Sequence, residues 1–314
     1  MRLRRDSPFF DLKTRGECAI LDYNFAYCAF TGGEGPDMVD IHCHILPGVD
    51  DGSPSMEDSL EMARMAADSG VTDIIATPHC NLPGTGPKNY RSASLRAAFS
   101  RLQQALDAEG IPLRIHPGAE VFCTPELPRL LDQRQLQTLG GSRYLLVEFY
   151  FDESAEFMEQ CFRDIRHRGL VPVAAHPERY NAVQRDPTRL EGWFRRGIVI
   201  QLNKGSVLGR LGRRAQDTAL WLLEHGLAHA AASDAHRPTV RTTHMGLLRS
   251  TLADDFSPDC PWLLLDGNPR RILEDRPMVG ADRPIWSLRC LSWCCWPSAA
   301  CASIAASPWI PRPR

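Results

Sequence analysis

Lysine is almost absent from this chain. Only Lys13, Lys88 and Lys204 occur, and arginine supplies the rest of the 36 basic residues. Against 38 acidic residues this leaves a formal net charge of -2, so no global basic field draws the chain to nucleic acid or anionic lipid. No two cysteines have the CxxC spacing, and eleven is an odd number for a disulfide framework. Reduced thiols, and with them the cytoplasm, are the expectation. No apolar h-region follows the basic start MRLRRDSPFFDLK, so no secretory signal is read. The most apolar late stretch, 285–310, contains Arg289, Pro297 and Pro308 and makes a poor membrane span. What is present is an ordinary globular composition, 43% hydrophobic and 24% charged over 314 residues, enough for one large domain or two small ones.

Three zones differ in texture. Residues 1–37 show no helical or strand period, and 275–314 lack Lys and Glu while crowding together Trp, Cys, Pro, Ser and Ala. Both are expected to be poorly ordered extensions. Between them, residues 38–274 alternate apolar runs with amphipathic stretches. Helical spacing of Met56, Leu60, Ala63 and Ala67 predicts a helix over 55–69, stopped by Gly70. Similar patterns predict helices over 92–109, 154–168, 189–196 and 213–224. Apolar runs predict strands over 38–42, 72–77, 113–116, 144–148, 171–175, 198–202 and 228–232. Strands alternating with helices imply parallel pairing and an α/β fold. About seven such units suit a closed or nearly closed barrel.

Most apolar runs lead into a metal-ligand or acid residue. The first leads to His42-Cys43-His44 and the second to Thr77-Pro78-His79. Glu120 follows the third, Glu148 closes YLLVE, His176 follows VPVAA, Asn203 follows VIQL, and Asp234 and His236 follow AHAAAS. In an α/β barrel these C-terminal strand ends face one mouth. With Asp51, the candidates are five histidines and four carboxylates: His42, His44, His79, His176, His236, Asp51, Glu120, Glu148 and Asp234. A lone HxH on a strand is usually incidental, and one strand-end His is often only a hydrogen-bonding residue. Repetition along the whole domain is what those readings do not explain. Imidazole and carboxylate donors suit Mn²⁺, Fe²⁺ or Zn²⁺, and nine of them exceed the needs of one ion. His116, His167, His225, His229 and His244 are read as structural. Cys43, between two candidate ligands, should point into the wall, and Asp50 is read as shaping the turn before Asp51.

The segment MVDIHCHILPGVDDGSP at 38–54, with ATPH, GAE, VEF, AHPERY, QLNKGSVLGRLG and SDAH following in order, closely resembles the bacterial capsule and exopolysaccharide tyrosine-protein phosphatases of the PHP (polymerase and histidinol phosphatase) superfamily. The resemblance spans about 38–274. It implies a distorted TIM-like (β/α)7 barrel with two or three Mn²⁺ ions held by the nine residues above, Glu120 bridging. It also implies hydrolysis of phosphotyrosine by a metal-bound hydroxide, on a protein that is expected to be a tyrosine autokinase. Arg179, Arg241 and Asp51 are the residues it places in catalysis. The segment RPTVRTTHM departs from the family's loop, which leaves Arg237 as a competitor to Arg241. Cys161 has an arginine five residues on, but in an amphipathic helix without a Gly-rich loop, so a cysteine phosphatase is not expected. The competing functions are hydrolysis of a small ester such as histidinol phosphate, a nuclease, and a non-catalytic metal-binding scaffold.

Overall fold

A computed structural model describes residues 37–280; residues 1–36 and 281–314, most of the two extensions read from the sequence, lie outside them, whereas 275–280, expected to be poorly ordered, packs Met278 into the core and accepts at Asp275 from Arg143 N at 2.8 Å. Nine parallel strands are present among the described residues: β1 Met38–Cys43, β2 Val71–Ala76, β3 His79–Cys80, β4 Arg114–Pro117, β5 Glu120–Phe122, β6 Tyr144–Glu148, β7 Val171–Ala175, β8 Val199–Asn203 and β9 Ala230–Ala232. They form a sheet ordered β1-β2-β4 and another ordered β3-β5-β6-β7-β8-β9. The division has a local cause. Thr77-Pro78 separates β2 from β3, and Gly118-Ala119, directly after the Pro117 that ends β4, separates β4 from β5. Proline has no N–H to give to a ladder, so each strand breaks and restarts after a turn. If β2 with β3 and β4 with β5 each count as one interrupted strand, the order runs through seven positions. The two ends meet through a short parallel bridge between Cys43 and Ala235, with His44 N donating to Ala235 O at 2.9 Å and Asp234 N to His42 O at 2.8 Å. This is the α/β architecture expected from the alternation, and its two sheets joined by one bridge agree with the distorted barrel that the resemblance implies.

The helices surround the strands and begin where their caps say they should. Ser55, Ser92 and Ser154 each accept a backbone N–H from the first turn of Met56–Asp68, Ala93–Ala108 and Ala155–His167, a contact worth about 1 kcal/mol each. The larger apolar cluster lies between helices and strands and includes Met62, Leu102, Phe162, Trp193 and Leu222. A smaller one takes Val39, Ile41, Ile75, Leu146, Val173, Ala175, Val199, Ala230 and Ala232 from six strands, together with Leu139, Ile272 and Met278. Those side chains fill the barrel, so polar groups can gather only at an end. Past β9 two helical stretches were not read from the sequence, Gly246–Asp255 and a run of Cys260–Trp262, the π turn Leu263–Gly267 and Asn268–Leu273. The second carries a fully buried Asn268, whose Nδ2 donates to His229 O at 2.9 Å; a polar core residue hides the helical stripe. No helix among the described residues is long and apolar enough to cross a membrane.

Candidate metal centre

The candidate ligands are delivered to one end of the barrel, whereas Asp73 on β2 pairs elsewhere with Arg114 and His116 on β4. His42, on β1, and His44, one residue past its end, point together with their Nε2 atoms 3.3 Å apart. Cys43 between them packs in the outer core, as strand alternation requires. His79 opens β3 and Glu120 opens β5, and the register sets them directly opposite one another. Glu148 closes β6 opposite Phe122. His176 follows β7, and Asp234 and His236 follow β9.

Glu120 is the hub. Its Oε1 lies 3.2 Å from His42 Nε2 and 3.1 Å from His176 Nε2; its Oε2 lies 3.3 Å from His44 Nε2 and 3.0 Å from His79 Nδ1. Asp234 Oδ1 lies 3.5 Å from His42 Nε2 and 3.6 Å from His44 Nε2. Glu148 approaches His79 and His176, each at 3.6 Å. Asp51 lies 3.4 Å from His79 Nε2 and 3.6 Å from His236 Nε2. Four overlapping groups have donor atoms within 4.8 Å of one another: His44, Asp51, His79 and His236; His42, His44 and Glu120; His42, His176 and Asp234; His79, Glu120 and Glu148. Together they are the nine residues singled out from the sequence.

This arrangement fits cations better than it fits itself. Facing imidazole nitrogens repel unless a proton or a metal lies between them. Three carboxylates sit together in the interior: Glu120 and Asp234 are almost wholly buried, and Glu148 is 13% exposed. Among the protein groups alone the tension is visible. Burial and the neighbouring Glu120 carboxylate push Glu148 up to about 8. Burial opposes charge on His42, but Glu120 and Asp234 outweigh it and raise it to about 9. Burial, His44 and Arg241 press His236 down to about 3, so its imidazole is a free base. His176 Nδ1 is buried without a hydrogen-bond partner. Neutral nitrogen donors beside clustered carboxylates are the donor chemistry of divalent transition metals.

Several residues the sequence reading passed over hold this set in place. Asp50 does more than shape a turn. Its Oδ2 accepts from His44 Nδ1 at 2.7 Å and from His79 N at 2.8 Å, and its Oδ1 accepts from Gly52 N at 3.0 Å. Burial opposes its charge, but the bond to His44 wins and lowers it to about 2. The carboxylate thereby keeps the proton of His44 on Nδ1 and leaves Nε2 free as a donor atom. A Cβ on Gly52 would overlap His44 O and Cβ, so this loop closes on the histidine only with glycine there. Gln201 Oε1 does for His42 Nδ1, at 3.0 Å, what Asp50 does for His44. Its signal was a polar residue inside the apolar run VIQL. Asn203 Nδ2 donates to Asp234 Oδ2, and Lys204 Nζ holds the carbonyls of Thr242 and His244, next to Arg241.

Two guanidinium groups lie beside Asp234. Arg179 Nη1 is 3.6 Å from its Oδ2, and Arg241 Nη2 pairs with the same oxygen. Arg241 Nη1 also lies 3.3 Å from His236 Nε2, whereas Arg237 is exposed. His176, Asp234 and Arg241 have positive φ of 34°, 49° and 52°, sparsely populated for residues other than glycine. Of the histidines read as structural, His116, His225 and His229 have partners elsewhere. His116 Nε2 pairs with Asp73 at 2.7 Å, His225 Nδ1 with Trp221 O at 2.8 Å, and His229 Nδ1 accepts from Ile200 N at 3.0 Å. The five described cysteines are buried, and Cys161 sits 3% exposed in the core rather than at the mouth.

Known proteins share this frame. The chain is 38% identical over 229 residues to the tyrosine-protein phosphatase YwqE of Bacillus subtilis, covering 73% of this chain and 89% of that one. It is 29% identical over 244 residues to the tyrosine-protein phosphatase CpsB of Streptococcus pneumoniae, covering 76% and 99%. A crystal structure from the work on YwqE and CpsB, described as unique metal-dependent tyrosine phosphatases, matches with a TM-score of 0.73 at 37% identity, over 79% of this chain and 99% of that one. Residues 38–274 match the family model described as capsular polysaccharide synthesis, CpsB/CapC, and the chain belongs to that family.

Proposed function

We propose that this chain is a metal-dependent tyrosine-protein phosphatase that serves capsular or exopolysaccharide synthesis. The observation that carries the reading is the convergence of nine nitrogen and oxygen donors on one cluster, buried but for the exposed Asp51, with two arginines at its edge. Its named relatives are tyrosine-protein phosphatases over most of their length. His42, His44, His79, His176, His236, Asp51, Glu120, Glu148 and Asp234 would hold two or three divalent ions, Mn²⁺ in our reading, with Glu120 shared. Such ions supply positive charge to a phosphate and acidify water at neutral pH.

The chain's own residues do the rest. Arg179 and Arg241 are positioned to donate to the non-bridging oxygens of a phosphate dianion, which would compete with Asp234 for them. Asp50 and Gln201 fix the tautomers of His44 and His42. The buried floor keeps bulk water from screening these charges. The substrate in this reading is phosphotyrosine on a tyrosine autokinase in the cytoplasm.

The test compares a phosphotyrosyl peptide with histidinol phosphate, on protein whose metal content has been measured. Turnover of the peptide with Mn²⁺, lost after chelation and restored by Mn²⁺, is expected. Preference for histidinol phosphate, or full activity after exhaustive chelation, would overturn the reading.

A further inference from the structure

Few large apolar side chains are strongly exposed among the described residues: Tyr150 at 50%, Phe151 at 42%, Val240 and Leu247. The two aromatics are adjacent and follow Glu148 by two and three residues. Their surroundings are built rather than incidental. Phe122, at the end of β5, meets Tyr150 edge-to-face with centroids 4.7 Å apart. Phe151 O accepts from Asn181 N at 2.7 Å, which pins the loop after β6 to the segment carrying His176 and Arg179. The Arg179 guanidinium lies over the Phe151 ring at 4.4 Å from its centroid. The His176 ring is 6.3 Å from the same centroid. Three neighbouring strand ends therefore raise an aromatic wall beside the arginine that faces Asp234.

We propose that Phe151, with Tyr150 behind it, is the surface on which the aromatic ring of the phosphate ester packs, making this site selective for aryl over alkyl phosphates. The inference rests on the phosphatase reading and adds the residue that senses the leaving group. Exposed aromatic faces are costly to keep unless something covers them. An aryl ester whose phosphate reaches Arg179 has its ring one bond further out, at the height of a wall that begins at that guanidinium. An alkyl ester brings nothing of matching shape. Arg179 over Phe151 also restrains the guanidinium through a cation–π contact, so the wall acts on phosphate as well, and the test must separate the two effects.

Binding of phenylphosphonate and of methylphosphonate separates them, because neither is hydrolysed. Each would be titrated calorimetrically, and as an inhibitor of p-nitrophenyl phosphate turnover, on the metal-loaded full chain and on its Phe151→Ala, Phe151→Leu and Phe151→Trp variants. In Phe151→Ala, phenylphosphonate should weaken about three- to tenfold more than methylphosphonate, the size expected for loss of an aromatic pair. Leucine should restore little of the difference and tryptophan most of it. Equal weakening of both ligands would leave Phe151 as a support for Arg179 alone and overturn the proposal, as would no change in either. Failure of the parent reading looks different: the unsubstituted protein would then prefer histidinol phosphate to the phosphotyrosyl peptide, or keep full activity after exhaustive chelation, whatever the Phe151 variants bind.

Discussion

Asp50 and Asp51 are adjacent carboxylates with opposite tasks, and substituting each in turn separates them. Asp50 is enclosed, and three donors depend on it: His44 Nδ1, His79 N and Gly52 N. In Asp50→Ala all three lose their acceptor. A buried donor left unmade costs about 1–3 kcal/mol, and water entering the vacated volume recovers part of it, so a net loss of about 2–4 kcal/mol is expected for the metal-free protein. Freed from the carboxylate, His44 can also place its proton on Nε2, the atom that faces Glu120 and His42. Loss of such an orienting partner typically lowers metal affinity or activity about 10- to 100-fold. Asp51 is different. Its side chain is 68% exposed and its Oδ1 faces His79 and His236. Asp51→Ala removes a donor atom but leaves no buried group unpaired, so stability should move by less than about 0.5 kcal/mol while metal content falls. Urea unfolding in chelator gives the first quantity, and metal analysis after dialysis at buffered free Mn²⁺ gives the second. Unchanged stability and metal content in Asp50→Ala would reduce Asp50 to a turn residue and refute the argument.

Arg179→Ala should lose roughly 10²-fold or more in kcat with its metals retained, since a guanidinium cannot ligate a cation; metal analysis beside turnover checks both. Cys161→Ser should keep substantial activity, because the thiol is buried away from the cluster; an inactive, folded, fully metallated variant would revive a cysteine nucleophile. His229 is enclosed against Phe194, and burial lowers it from 6.5 to about 4. The unfolded chain therefore takes up this proton near 6.5 and the folded chain only near 4, so stability falls as pH drops through that window and levels off below it. The full effect is about 3 kcal/mol. Unfolding midpoints against pH in chelator should fall less steeply between 6.5 and 4 for His229→Gln than for the unsubstituted protein.

Much of the frame can be read from the residues because local and tertiary preferences agree. Ser55, Ser92 and Ser154 precede helical stripes and cap those helices. Tyr144–Glu148 and Val171–Ala175 are apolar runs bounded by turn residues and form strands with those limits. The nine donors are legible because strand ends in this architecture share a mouth. Legibility stops where a role depends on a partner distant in sequence. Gln201 is 159 residues from His42, and no spacing rule joins them. Asp50 looked like any acid in an Asp-Gly turn, since its meaning lies in the approach of His44 and His79. The break in the sheet follows from Pro78 and Pro117, but two- and three-residue strands are too short to show a period. Asn268 misleads in the other direction, as a polar residue wholly buried inside a helical run.

The positive φ angles of His176, Asp234 and Arg241 bear on any attempt to engineer this protein. Glycine would be conformationally more comfortable at each of these positions, and asparagine nearly so. A library screened only for heat resistance therefore contains a rewarded path toward replacing them. Its winners would melt later and do nothing, because the three side chains gained by tolerating the awkward backbone are a donor on His176, the carboxylate beside both arginines, and one of those arginines. Selection for robustness here must be paired with selection for turnover at every round.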